Sequence, residues 1–183
     1  MRRAFAVLLV GLLLLGGAGV AVAKGEPVLA AHGPTEVRGT EETAVFRIGT
    51  RLVRQVRYDD RQTLVYSFVL ANDGRLPLTV TGLAEPEVPP RLFDYEKVTD
   101  EEGNEEFSLA AGERRTVRVS MLMTACETLS ARAGSFATEV LLRTRTAGVV
   151  EDVVTVDFPE EVHTGSPREA FCPNATATSR PPG

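Results

Sequence analysis

Arg115-Thr116-Val117-Arg118-Val119-Ser120-Met121-Leu122-Met123 reads with a period of two. Val117, Val119, Met121 and Met123 fall on one side of an extended chain, while Thr116, Arg118 and Ser120 fall on the other. A helix would instead bring positions 116, 119, 120 and 123 onto one face, mixing Thr and Ser with the apolar residues. The stretch is therefore an amphipathic β-strand with its Val and Met side chains toward a core. The alternation recurs downstream. Phe136, Val140 and Leu142 alternate with Glu139, Arg143 and Arg145, and Val150, Val154, Val156 and Phe158 alternate with Glu151 and Asp157. Ala147-Gly148 joins these two runs as a hairpin turn.

Upstream, 44–48 and 52–58 are short apolar-rich runs, and 63–71 carries Leu64, Tyr66, Phe68 and Leu70 on one side and Val65, Val69 and Ala71 on the other. A strand apolar on both faces is a central one. Asn72-Asp73-Gly74 has the chemistry of a tight hairpin, because all three residues tolerate the positive φ it requires, and it leads into a strand at 78–83. Three prolines make 85–90 loop or sheet edge; 91–98 reads as a strand and 99–106 as an acidic loop around Gly103. No window carries a period of 3.6. Residues 43–173 are thus expected to form an all-β, two-sheet β-sandwich of seven or eight short strands.

An apolar export segment precedes that domain. Met1-Arg2-Arg3 is a cationic start, 4–15 is continuously apolar, Gly16, Gly17 and Gly19 loosen the chain, and Ala21-Val22-Ala23 supplies the small residues a signal peptidase needs. Residues 1–23 read as a signal peptide cut before Lys24, or as a signal anchor, since 4–23 is also long enough to span a bilayer with Arg2 and Arg3 inside. The glycines weaken its second half as a helix and favour cleavage. Either way, residue 24 onward is expected to be extracytoplasmic, secreted or held at the outer face of the cytoplasmic membrane. Residues 24–42, with Pro27, Gly33, Pro34 and Gly39, read as a linker with at most a short edge strand at its end, and 174–183 as a disordered tail.

The whole chain of 183 residues has 20 Lys and Arg against 25 Asp and Glu, a net charge of −5, and no basic footprint for nucleic acid. Its composition, 43% hydrophobic and 25% charged, is globular. Cys126 and Cys172 are its two cysteines; in an oxidising compartment an even count reads as one disulfide, which would tie the C-terminal segment to the domain.

Asn72-Asp73-Gly74-Arg75-Leu76-Pro77-Leu78-Thr79-Val80-Thr81-Gly82-Leu83, followed by Phe107-Ser108-Leu109-Ala110-Ala111-Gly112-Glu113 and Val117-Arg118-Val119, resembles the signature of bacterial immunoglobulin-like domains. With its apolar start and Cys172-Pro173, the chain is similar to exported or membrane-tethered proteins of high-GC Gram-positive bacteria. The resemblance implies an immunoglobulin-like sandwich and no activity. Ala111 stands where that pattern commonly has Pro.

Residues that could carry chemistry are few. His32 and His163 lie far apart in sequence, with no His or Cys at metal-ligand spacing. Met121 and Met123 share a strand face, as soft Cu(I) ligands would, yet they continue the Val117–Val119 core stripe. Asp100, Glu102 and Asn104 hint at calcium, but Glu105 and Ala111 stand where an EF-hand needs Gly and Glu. Ser135 has no histidine near in sequence, and Asp94 and Glu96 could pair as glycosidase carboxylates but lack an aromatic platform. Arg51, Arg54, Arg57 and Arg61 read as solvated edge residues. The expectation is a noncatalytic exported domain acting by surface contact on an envelope protein, with no cofactor, metal or nucleic acid; the alternative is an extracytoplasmic module handling Ca or Cu.

Overall fold

The computed structural model describes residues 27–59, 61–88, 90, 92–124, 135–164 and 170–171. In chain order its strands are β1 (Leu29–Arg38), β2 (Glu41–Ile48), β3 (Arg51–Asp59), β4 (Thr63–Asn72), β5 (Leu78–Leu83) and β6 (Phe93–Asp100). Then come β7 (Phe107–Leu109), β8 (Arg114–Met123), β9 (Ser135–Thr146), β10 (Val150–Thr164) and β11 (Ala170–Phe171). One sheet has the order β1-β4-β8-β6; the other runs β11-β3-β10-β9-β5-β7, with β2 on β3. The two pack face to face as a β-sandwich, the period of two giving each sheet an apolar face to bury.

Its core is built by alternate residues of both sheets. Leu64, Tyr66, Phe68 and Leu70 of β4 and Val117, Val119, Met121 and Met123 of β8 meet Val56, Tyr58, Val80, Val140, Leu142, Val156 and Phe158 from the facing sheet. Phe158 lies 4.9 Å from Tyr66 and 5.6 Å from Phe68, ring centre to ring centre. Burying each such side chain contributes about 1.5–3 kcal/mol.

The eight runs read from the sequence correspond to β2, β3, β4, β5, β6, β8, β9 and β10, and the structure adds β1, β7 and β11. The largest departure is 24–42. Residues 29–38 are no linker but β1, paired antiparallel with β4 from Leu29↔Asn72 to Arg38↔Val65. Its apolar residues are few and mostly small, yet Leu29, Ala31 and Val37 pack against the core. The register breaks between His32 and Glu36, where Gly33 and Pro34 interrupt the ladder.

Asn72-Asp73-Gly74 is a second correction. Because β4 and β5 belong to different sheets, the turn is a crossover and not a hairpin. Gly74 uses no positive φ. The fully buried Asn72 side chain organises the turn instead. Its Oδ1 accepts from the Gly74 N–H at 3.0 Å, and its Nδ2 donates toward the carbonyls of Leu76, Leu109 and Ala110 at 2.9, 3.1 and 3.1 Å. The Gly112 N–H reaches the Asn72 carbonyl at 2.7 Å from a turn that needs φ of 75°. Glu113 caps that turn through the Ala110 N–H at 2.8 Å. The motif residues 72–83 and 107–113 are thus one interlocked junction between the sheets.

Ala147-Gly148 is the hairpin expected, with φ of 48° and 75°. Phe136 departs from its expected inward face: Ala137 and Val140 are buried and Phe136 is exposed. A register irregularity between Asp157 and Val162 of β10 accompanies this change of parity.

Candidate interaction surface

The residues singled out for chemistry are placed by the sandwich at separate points. Met121 and Met123 are fully buried among the apolar residues of the core. Asp100 is buried at the end of β6, and its carboxylate is already occupied. Oδ1 accepts from the Asn104 N–H at 2.8 Å, and Oδ2 from Asn104 Nδ2 at 3.0 Å and from Arg115 Nη1 at 3.5 Å. The Asn104 side-chain bond, then its backbone bond, hold the Asp100 carboxyl below its ordinary value against the opposing effect of burial. Glu102 is exposed. The Asp100 carboxylate oxygens are thus spent on Asn104 and Arg115. Among the described residues no group of three or more His, Cys, Asp or Glu could hold a metal ion.

His32 stands in β1 opposite Val69, and its buried Nε2 has no hydrogen-bond partner among the described residues. His163 stands in β10, its ring 4.6 Å from that of Phe136. Ser135 opens β9, where its N–H donates to Thr164 Oγ1. Cys126 and Cys172 lie outside the described residues.

Asp94 and Glu96 do come together. Both line an open cleft of about 420 Å³ with Glu85, Pro86, Pro90 and Arg143, below the proline-rich crossover from β5 to β6. A neighbouring groove of about 310 Å³, lined by Val88, Phe93, Phe136 and Leu141 among others, shares Tyr95 with it. The Tyr95 hydroxyl donates to the Glu139 carbonyl of β9, tying the two sheets across this edge, and burial pushes its pKa up.

The arginine cluster needs correction as well. β3 has neighbours on both edges, so its arginines are not edge residues, and acids surround them. Arg51 is bidentate on Glu161, Arg54 meets Glu160 at 2.7 Å and also Glu42, and Arg57 lies 3.4 Å from Glu41. Arg54 also donates to Thr35 of β1 at 3.0 Å, joining the two sheets. Burial lowers its pKa, but Glu160 and Glu42 more than compensate and hold it above the ordinary value. The Tyr66 hydroxyl closes the junction on the Glu160 carbonyl at 3.3 Å, its own pKa raised by burial.

The pairing of β2 with β3 sorts the outer surface. Phe46↔Val53, Ile48↔Arg51 and Ala44↔Gln55 share one face, while Val45↔Arg54 and Arg47↔Leu52 share the other, with Val56 of the core. Val53 is completely buried yet faces away from the core. Phe46, Ile48 and Phe136 surround that region at 38%, 49% and 41% exposure, and Arg51 stacks over the Phe136 ring at 5.4 Å. The result is an outer surface with half-exposed apolar side chains on β2 and β9, and Arg51, Gln55, Glu161 and His163 of β3 and β10 between them. The sequence hid it, because β2 carries apolar residues on both faces and Phe136 read as core.

No family model matches the chain, and no curated protein matches it in sequence. Among solved structures it is similar to the cupredoxin domain of amoB from Nitrosocaldus yellowstonii, at 11% identity over 66% of this chain, with a TM-score of 0.28. The match spans 65% of that domain's length. At this level the likeness bears on neither ligand nor activity.

Proposed function

We propose that this protein is a noncatalytic, exported immunoglobulin-like domain that acts by surface contact at the cell envelope. The observation that carries the proposal is the outer surface of Phe46, Ile48 and Phe136 over the buried Val53. Half-exposed aromatic and aliphatic side chains beside a desolvated floor, with Arg51 stacked at the rim, have the composition of a contact surface. The resemblance of 72–83 and 107–119 to bacterial immunoglobulin-like domains and the signal-like 1–23 support the compartment.

A photoreactive benzophenone residue placed at Phe136 of the exported chain tests this. It should link the protein to an envelope component, while the same residue at the exposed hairpin position Val149 should not. Equal patterns from both positions, or none from either, would overturn the proposal. Titration calorimetry with Ca²⁺ and Cu(I) tests the metal-handling alternative: micromolar binding lost in Asp100→Asn or Met121→Leu would replace surface contact as the function.

A further inference from the structure

Each sheet of an open sandwich has two edges, and three of the four here carry a device that discourages another strand. β1 has Pro34 and a register break, β6 has a break between Tyr95 and Lys97 beside Asp94 and Glu96, and β7 is three residues long. β2 is different. Its register break, between Glu42 and Ala44, is confined to its acidic start; the regular stretch 44–48 pairs only with β3 among the described residues and exposes Val45, Phe46 and Ile48, apolar on both of its faces.

We infer that β2 is a pairing edge and that its partner is β2 of a second copy of this chain, antiparallel about a two-fold axis at Val45. Resting on the surface-contact proposal, this names the partner. Three features of the strand fit that register. Val45 stands opposite Val45 of the second copy, and Phe46 stands opposite Ala44, which shares its face. Arg47 stands opposite the register break between Glu42 and Ala44, where Glu42 lies on the same face as Arg47. Arg47 donates only to the Thr50 carbonyl within its own chain and meets no acid among the described residues. The antiparallel arrangement thus sets the basic end of each strand against the acidic end of the other, whereas a parallel one would stack Glu41 and Glu42 on themselves. Pairing joins the two larger sheets into one continuous sheet and covers the exposed backbone groups of both edges.

The test uses the exported full-length protein. Sedimentation equilibrium over a rising series of protein concentrations should approach twice the chain mass at the upper end. Phe46→Lys should return it to one chain mass while the chain still unfolds in a single cooperative thermal transition. In Val45→Cys, peptide mapping after mild oxidation should recover a link between residue 45 of one copy and residue 45 of the other. A single chain mass for the unaltered protein at all concentrations, or a dimer that survives Phe46→Lys, would overturn the inference. Monomeric protein whose Phe136 probe still captures an envelope component would overturn self-pairing and leave surface contact standing; a β2-linked dimer with no envelope adduct would do the reverse.

Discussion

Replacing Asn72 with alanine removes a side chain that bonds to the crossover, β7 and the 110–113 turn together. Four contacts disappear: one hydrogen bond accepted from Gly74, and the two amide N–H donors shared among the carbonyls of Leu76, Leu109 and Ala110. The Leu109 contact is fully buried, so its carbonyl is left without a replacement from water, a loss of about 1–3 kcal/mol. The other three are partly buried and cost nearer the net value of a hydrogen bond, about 1 kcal/mol or less each. The total is roughly 3–5 kcal/mol against the 5–15 typical of a domain. With a urea dependence of about 2 kcal/mol per molar, the midpoint should fall by about 2 M. Asp73→Ala, at the exposed neighbour, should stay within about 0.5 kcal/mol of the unaltered protein. A loss below about 1 kcal/mol in Asn72→Ala would mean that the polar junction does not hold the two sheets together.

Three further outcomes follow from the same structure. Val119→Asp places a carboxylate in the core with no partner and should cost several kcal/mol, whereas Ser120→Asp, on the opposite face, also buried but beside Lys97, should cost clearly less because the new carboxylate has a cation to meet; equal losses in thermal melts would refute the strand register. The Asp100 and Glu113 carboxyls lie below their ordinary values of 3.8 and 4.5, Asp100 chiefly through the Asn104 side chain and Glu113 through the Ala110 N–H. Groups with depressed values in the fold stabilise it above the unfolded value and lose that contribution as pH falls through the folded one. Melting temperature should therefore drop as pH is lowered from about 4.5, less steeply in Asp100→Asn, and a flat profile down to pH 3 would contradict this. Non-reducing peptide mapping of exported material should recover a Cys126–Cys172 link and an N-terminus at Lys24; two alkylatable thiols would reject the disulfide, and an intact Met1 would favour the anchor.

Eight strands were legible as short apolar-rich runs bounded by turn residues, with alternation clearest in β8, β9 and β10. β1 was not, because an Ala-Ala-His-Gly-Pro run carries little apolar signal and owes its extended form to the ladder with β4. Local turn chemistry marked 72–74 correctly as a turn, but it holds no information on whether the next strand returns to the same sheet. Phe136 was assigned inward by extrapolating a parity that a β-bulge reverses, and with it went the outer apolar surface. The ion partners of Arg51 and Arg54, Glu161 and Glu160, lie more than a hundred residues away in sequence, beyond any local pattern.

β10 also constrains the order in which the domain can be completed. Its first half closes on β9 through a short hairpin, a local event that needs no other part of the chain. Its second half is the parallel neighbour of β3, joining Val53 to Glu161. Chain closure over that distance is slow, and until it happens β2 and β3 can form only a two-stranded ribbon, marginal on its own. A chain delivered N-terminus first therefore presents its Val45–Ile48 edge for most of its delivery with no finished sheet behind it. The same strand that would recognise a second folded copy is then the one most exposed to premature pairing, so crowding of nascent chains, more than heat, should limit the yield of folded protein.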